Sequence, residues 1–116
     1  MKYKAVIFDL FGTLVEIFSS RAYECVLSEM SDVLSVSSQD FTRLWNETRR
    51  MRVTGSLASV EANIEHICRS LSLQPMADRI KAAAQIRLDF TRRSLEPRHD
   101  AVETLTQLKK TGCKTG

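Results

Sequence analysis

The stretch that most constrains this chain is Lys4–Val15, which reads Lys-Ala-Val-Ile-Phe-Asp-Leu-Phe-Gly-Thr-Leu-Val. Ala5 to Phe8 form a short apolar run, and a run of that kind bounded by turn residues reads as a buried strand. Asp9 follows directly, and Gly12 comes shortly after it. In open α/β sheets, ligands bind beyond the carboxyl ends of the strands. Asp9 stands at such an end, and Gly12 admits a backbone turn that a side chain disfavours. A carboxylate with a reference pKa of about 3.9 is ionised at neutral pH. It therefore acts as a nucleophile without a general base. An Asp after a strand is also a common turn residue, with no catalysis implied.

Beyond Val15 the pattern changes to helix. Ser19 and Ser20 are caps for a helix running to about Leu34, with Ala22, Cys25, Val26, Met30, Val33 and Leu34 at helical spacing. Ser35-Val36-Ser37-Ser38 is a break. A second helix is expected from Gln39 to Arg52, with Phe41, Leu44, Trp45 and Thr48 on one face and Thr54-Gly55 as its stop. Ser56 opens a third, whose stripe is Leu57, Val60, Ile64, Ile67 and Leu71. Pro75 opens a fourth at a position that needs no N–H, carrying Ile80, Ala83, Ala84, Ile86, Leu88 and Phe90. Four amphipathic helices in a row predict a bundle of their own. Pro97 marks a boundary, and His99 to about Thr111 predicts a fifth helix with Val102, Leu105 and Leu108 inward. Gly112 ends it, and Cys113-Lys114-Thr115-Gly116 is the approach to another strand.

Phe8-Asp9-Leu10-Phe11-Gly12-Thr13-Leu14-Val15 resembles the first motif of the haloacid dehalogenase superfamily. Its members read apolar-apolar-Phe-Asp-x-Asp-Gly-Thr-Leu, the first Asp being the nucleophile. The segment 95–116 is similar to the family's connection into the second core strand. The resemblance implies an α/β, Rossmann-like core with an inserted helical cap, so that this chain is mostly α. The expected divisions are 1–15 for the first strand and nucleophile loop, 16–94 for the cap, and 95–116 for the return to the core. It further implies hydrolysis of a small-molecule substrate, either a phosphate ester or a 2-haloacid. Asp9 is then the nucleophile, with Phe11, Gly12 and Thr13 against the substrate. A phosphatase would take Mg²⁺ on Asp9 and the backbone carbonyl of Phe11; a dehalogenase would take no cofactor.

The chain departs from the motif at Phe11, where the phosphatases carry a second Asp that protonates the leaving group. That role is typically worth ~10²–10⁴ in rate. A halide leaves without a proton, and dehalogenases of this family often carry an aromatic residue there. Those enzymes also place a substrate-binding Arg shortly before a Leu-Trp pair. Here the stretch before the Leu44-Trp45 helix reads Ser35-Val36-Ser37-Ser38-Gln39, with no Arg, and Arg43 lies further on, inside the helix. The family's later Ser/Thr, Lys and acidic pair would all fall beyond Gly116. The expectation is therefore a fragment whose first strand, Val6 to Phe8, has no partner within the chain, and which is inactive alone and prone to self-association through that strand. The alternative is a non-catalytic helical remnant or interaction module.

Composition narrows the classes. The 116 residues suit about one small domain, and 43% hydrophobic with 27% charged residues is ordinary for a globular protein. A net charge of +3 without a nucleic-acid motif argues against a nucleic-acid partner. No apolar run spans a bilayer and no signal pattern precedes the strand, so the expectation is no membrane partner and a cytoplasmic location. Cys25, Cys68 and Cys113 are odd in number and far apart, which predicts reduced thiols buried as small hydrophobes. His66 and His99 have no ligand partner at metal spacing. Arg49-Arg50-Met51-Arg52 and Arg92-Arg93 read as solvated charges at helix ends.

Overall fold

A computed structural model describes residues 2–116. The chain is mostly helical, with six helices and a two-stranded sheet among the described residues. It divides into two compact units, one running to Phe18 and resuming with Thr91–Gly116, the other Ser19–Phe90.

The helical unit holds α1 (Ser20–Leu34), α2 (Ser38–Glu47), α3 (Arg49–Val53), α4 (Val60–Ser70) and all but the last four residues of α5 (Ala77–Ser94). Serine hydroxyls start three of them. Ser19, Ser37 and Ser59 accept from the amides of Ala22, Asp40 and Ala62 at 3.1, 3.3 and 3.1 Å. Each thereby satisfies an amide that has no partner inside its helix. The apolar stripes close over one core that includes Leu27, Met30, Phe41, Trp45, Ile64, Ile67 and Ala83. Burying a large apolar side chain of this kind contributes roughly 1.5–3 kcal/mol.

Several boundaries differ from expectation, each for a local reason. The second helix is two, because Thr48 breaks it: its Oγ1 donates back to the Leu44 carbonyl at 2.9 Å and reaches the Trp45 carbonyl at 3.0 Å. A hydroxyl bonding backwards in this way competes with the helix and bends it. The third predicted helix starts at Val60, not Ser56, since Ser59 provides the cap while the Leu57 amide turns back to the Met51 carbonyl at 3.1 Å. The fourth starts at Ala77, with the Met76 carbonyl taking the first amides from Arg79 and Ile80. Leu88 is exposed, and so is Cys25, while Cys68 and Cys113 are buried and all three thiols are free. Burial pushes the Cys68 thiol pKa up.

The strand unit holds β1 (Ala5–Val6), α6 (His99–Lys110) and β2 (Lys114–Thr115). The first strand does have a partner here, contrary to expectation. β1 and β2 pair in parallel, Ala5 opposite Lys114 and Val6 opposite Thr115. The amide of Phe8 donates to the Gly116 carbonyl at 2.7 Å, which carries the pairing to the residue before Asp9. Gly112, at φ +77°, turns the chain from α6 into β2. Val102 is 55% exposed, so α6 turns Ala101 inward in its place. Only Val15, Ala101 and Cys113 are buried hydrophobic residues among the described part of this unit.

Candidate functional site

Past β1 the chain closes into a compact turn. The Leu10 carbonyl accepts from the amides of Thr13, Leu14 and Val15 at 3.3, 3.0 and 3.1 Å, and the Gly12 amide donates to the Val15 carbonyl at 2.8 Å. Gly12 sits at φ +77°, where an L side chain is strained, although a Cβ there would meet nothing within 4 Å. Backbone conformation is therefore the whole reason for glycine at this position. Val15, 4% exposed, anchors the end of the turn. A bridge joins Val15 to Pro97, and the Arg98 amide donates to the Leu14 carbonyl at 2.8 Å. The Arg98 guanidinium lies 3.6 Å from Glu16 and forks onto Asp100, Nε to Oδ1 at 3.0 Å and Nη2 to Oδ2 at 3.2 Å. That fork holds the Asp100 carboxyl below its ordinary range. The turn after β1 is thus tied to the start of α6.

Asp9 is exposed between the strand and this turn, and no side-chain hydrogen bond or ion pair engages its carboxylate among the described residues. Gly12 and Thr13 are exposed beside it in sequence. Phe11 is 44% exposed and meets Phe18 edge to face, ring centroids 6.0 Å apart. Ile7, Leu10 and Ile17 are exposed as well, so the Asp9 segment is set in apolar surface. A cleft in this unit is lined by Tyr3, Lys4, Gly112 and Lys114 and does not include Asp9.

The donors expected for Mg²⁺ are the Asp9 carboxylate and the Phe11 carbonyl, one of each. No group of three or more His, Cys, Asp or Glu is placed to hold a metal among the described residues. Mg²⁺ takes six oxygens in near-octahedral geometry. Two protein donors without a second carboxylate do not make that site, so the residues present do not fit the ion by themselves.

In the helical unit, Arg43 lies on the surface between carboxylates, 3.3 Å from Glu47 and 3.7 Å from Asp40. Its charge is already matched. The residue that sequence reasoning missed is Arg52, read as a solvated helix-end charge. It is half-buried, with its guanidinium carbon 4.4 Å from the centre of the Trp45 ring. Its Nη1 donates to the Trp45 carbonyl at 2.6 Å and to Thr48 Oγ1 at 3.0 Å. The seven-residue spacing from Trp45 to Arg52, two helical turns, was the available signal. Trp45 itself is 1% exposed and donates from Nε1 to the Tyr23 hydroxyl at 2.7 Å.

None of the described helices is long and apolar enough to cross a membrane. Comparison with protein-family models, with curated proteins and with solved structures finds no match for this chain.

Proposed function

We propose that this chain carries the nucleophile segment of a hydrolase acting on a small molecule, with Asp9 as the attacking carboxylate, in the manner of the haloacid dehalogenase superfamily. The observation that supports the reading is an exposed carboxylate, without an ion-pair partner among the described residues, just past the carboxyl end of a parallel strand. A compact Gly12 turn follows it. An Asp9 oxygen attacks phosphorus, the bond to the leaving oxygen breaks, and the leaving group departs with the electron pair. Water then hydrolyses the acyl phosphate and restores the carboxylate. With a 2-haloacid the same oxygen displaces halide at carbon, and water hydrolyses the resulting ester. Phe11 has no proton to donate to a leaving alkoxide, which favours leaving groups that need none. Mg²⁺ belongs to the phosphate reading only, and further donors would have to complete its site.

The test is covalent capture. After incubation with an activated phosphoryl donor or a reactive 2-haloacid, peptide mass spectrometry should find a single adduct on Asp9. Asp9→Asn should carry none, and should lose any hydrolysis of an aryl phosphate. An adduct elsewhere, or one that survives Asp9→Asn, overturns the assignment.

A second reading, a non-catalytic interaction module that associates through the strand unit, is favoured by one observation. Ile7 is 88% exposed and Ile17 70%, with Leu10, Phe11 and Phe18 also at the surface. Absence of any adduct together with concentration-dependent association would favour it.

A further inference from the structure

We infer that β1 pairs edge to edge and antiparallel with β1 of a second copy of this chain, in the register that sets Ile7 against Ile7 and Asp9 against Ala5 of the other copy. This pairing rests on the association reading of the strand unit and specifies the edge and register that carry it.

One edge of β1 is taken and the other is open. On the β2 side, the carbonyls of Lys4 and Val6 accept from the amides of Lys114 and Gly116, each at 3.0 Å, and the Phe8 amide donates to the Gly116 carbonyl at 2.7 Å. Backbone groups of successive strand residues point to alternate edges, so those of Ala5 and Ile7 point away from β2. The amides and carbonyls of Ala5, Ile7 and Asp9 find no partner among the described residues. An unpaired edge of this kind is a template for another strand. The side chains alternate as well. Val6 and Phe8 are half-buried, whereas Ala5, Ile7 and Asp9 are exposed on the opposite face.

The charges select a second copy and its register. Asp9 and Lys114 are both exposed, and neither has an ion-pair partner among the described residues. Lys114 lies in register with Ala5, so the two share the exposed face. An antiparallel copy runs back along β1 and brings its Asp9 opposite Ala5. Lys114 then stands two strand spacings from that carboxylate, roughly 10 Å. The Ala5 methyl leaves the gap clear, and the flexible lysine stem spans it. A two-fold axis repeats the contact, so acid meets base on both sides. Ile7 falls on the axis and exchanges both backbone hydrogen bonds with its own counterpart, while Ala5 exchanges its pair with Asp9. An unrelated strand would satisfy the backbone without matching both charges. Few residues take part, so the dimer is weak, absent in dilute solution and present at high protein concentration.

The experiment is sedimentation equilibrium of the full chain at rising concentration, where a monomer–dimer equilibrium is expected. Asp9→Lys and Lys114→Glu should each weaken the dimer about tenfold or more, since like charges then face each other. The double variant Asp9→Lys with Lys114→Glu should restore it. In a Cys25→Ser background, which removes the exposed thiol, Ile7→Cys should form a disulfide-linked dimer on mild oxidation. The paired Cα atoms would lie about 5.5 Å apart, within disulfide reach. Ala5→Cys should not cross-link, because its counterpart is displaced along the strand. If Asp9→Lys fails to fold by circular dichroism, Lys114→Glu and the two cysteine variants carry the test. No dimer at any concentration overturns both the pairing and the association reading. A dimer unmoved by the charge variants, or cross-linked through Ala5→Cys and not Ile7→Cys, overturns the pairing and leaves the association reading standing.

Discussion

In Ser19–Phe90, Phe41 is 0% exposed and Trp45 1%, whereas in the other unit Ile7 is 88% exposed and Ile17 70%. The two regions draw on similar residue types and use them differently. In the helical unit the apolar positions recur at helical spacing, and they close over a shared core. In the strand unit two short strands and one helix have too few elements to cover both faces of a sheet. A parallel sheet is normally buried on both sides. The exposed apolar residues of the strand unit therefore belong to a surface suited to contact, and they flank the one carboxylate with a chemical reading. The difference teaches where stability and chemistry reside. Substitutions in the helical core should unfold the protein, and substitutions around Asp9 should leave it folded.

The sharpest way to break this comparison is Trp45→Ala. The change removes a ring stacked on Phe41 at 5.8 Å, takes the donor from the Tyr23 hydroxyl, and strips the surface on which Arg52 rests. A loss of about 3–5 kcal/mol is expected, read from urea unfolding followed by circular dichroism. A loss under about 1 kcal/mol would mean that this core is looser than its burial implies.

Asn63 offers an effect of opposite sign. It is 0% exposed on α4, and neither its Oδ1 nor its Nδ2 has a hydrogen-bond partner among the described residues. A buried polar group left unsatisfied costs about 1–3 kcal/mol. Asn63→Leu, close in size and free of polar atoms, is expected to raise the urea midpoint by a gain of that order. A fall in the midpoint would show that the carboxamide is satisfied in solution and supports the core.

Legibility in the sequence followed the range of the interactions. The start of the strand at Ala5, the turn at Gly12, and the caps at Ser19 and Gly112 were readable, because each depends on residues a few positions apart. The strand itself is two residues long, Ala5–Val6, and not the buried run to Phe8 that its apolar residues suggest, since among the described residues no further strand or helix layer covers Ile7. The split at Thr48 was not, since the same hydroxyl fits a helix face or a backward hydrogen bond. The pairing of β1 with β2 joins residues at opposite ends of the chain, and no local pattern announces it. Arg52 was misread for a related reason. Its charge predicts solvent, and only the folded position of Trp45 makes a partly buried guanidinium favourable. At the candidate site, Asp9 and Gly12 were legible, while the contact of Phe11 with Phe18 came only from the way the turn leads into residues 16–18.

Acid titration sharpens the strand unit's side of the comparison. The Asp100 carboxyl is depressed by the Arg98 fork, so the folded protein binds fewer protons there than the unfolded chain. Its contribution to stability is present above the unfolded value of about 3.9 and is lost as pH falls through the lower folded value. Asp100→Asn should flatten the dependence of stability on pH in that acid window and leave it unaltered at neutral pH relative to the slope of the parent. Both groups are open to solvent, so the effect is small. An unchanged acid limb would show that the fork is not held in solution.

Ile7→Ser carries the smallest expected effect and tests the comparison most directly. With Ile7 88% exposed, folding removes little of this side chain from water. Its truncation should therefore change stability by no more than about 0.5 kcal/mol, as for other surface substitutions. The neighbouring backbone pairing of β1 with β2 does not depend on the side chain. A loss beyond that range, measured in dilute solution and again at high protein concentration, separates two explanations. If the loss grows with concentration, a second copy covers Ile7. If it does not, the side chain packs within the monomer, and the contrast between a closed helical core and an open strand face no longer holds.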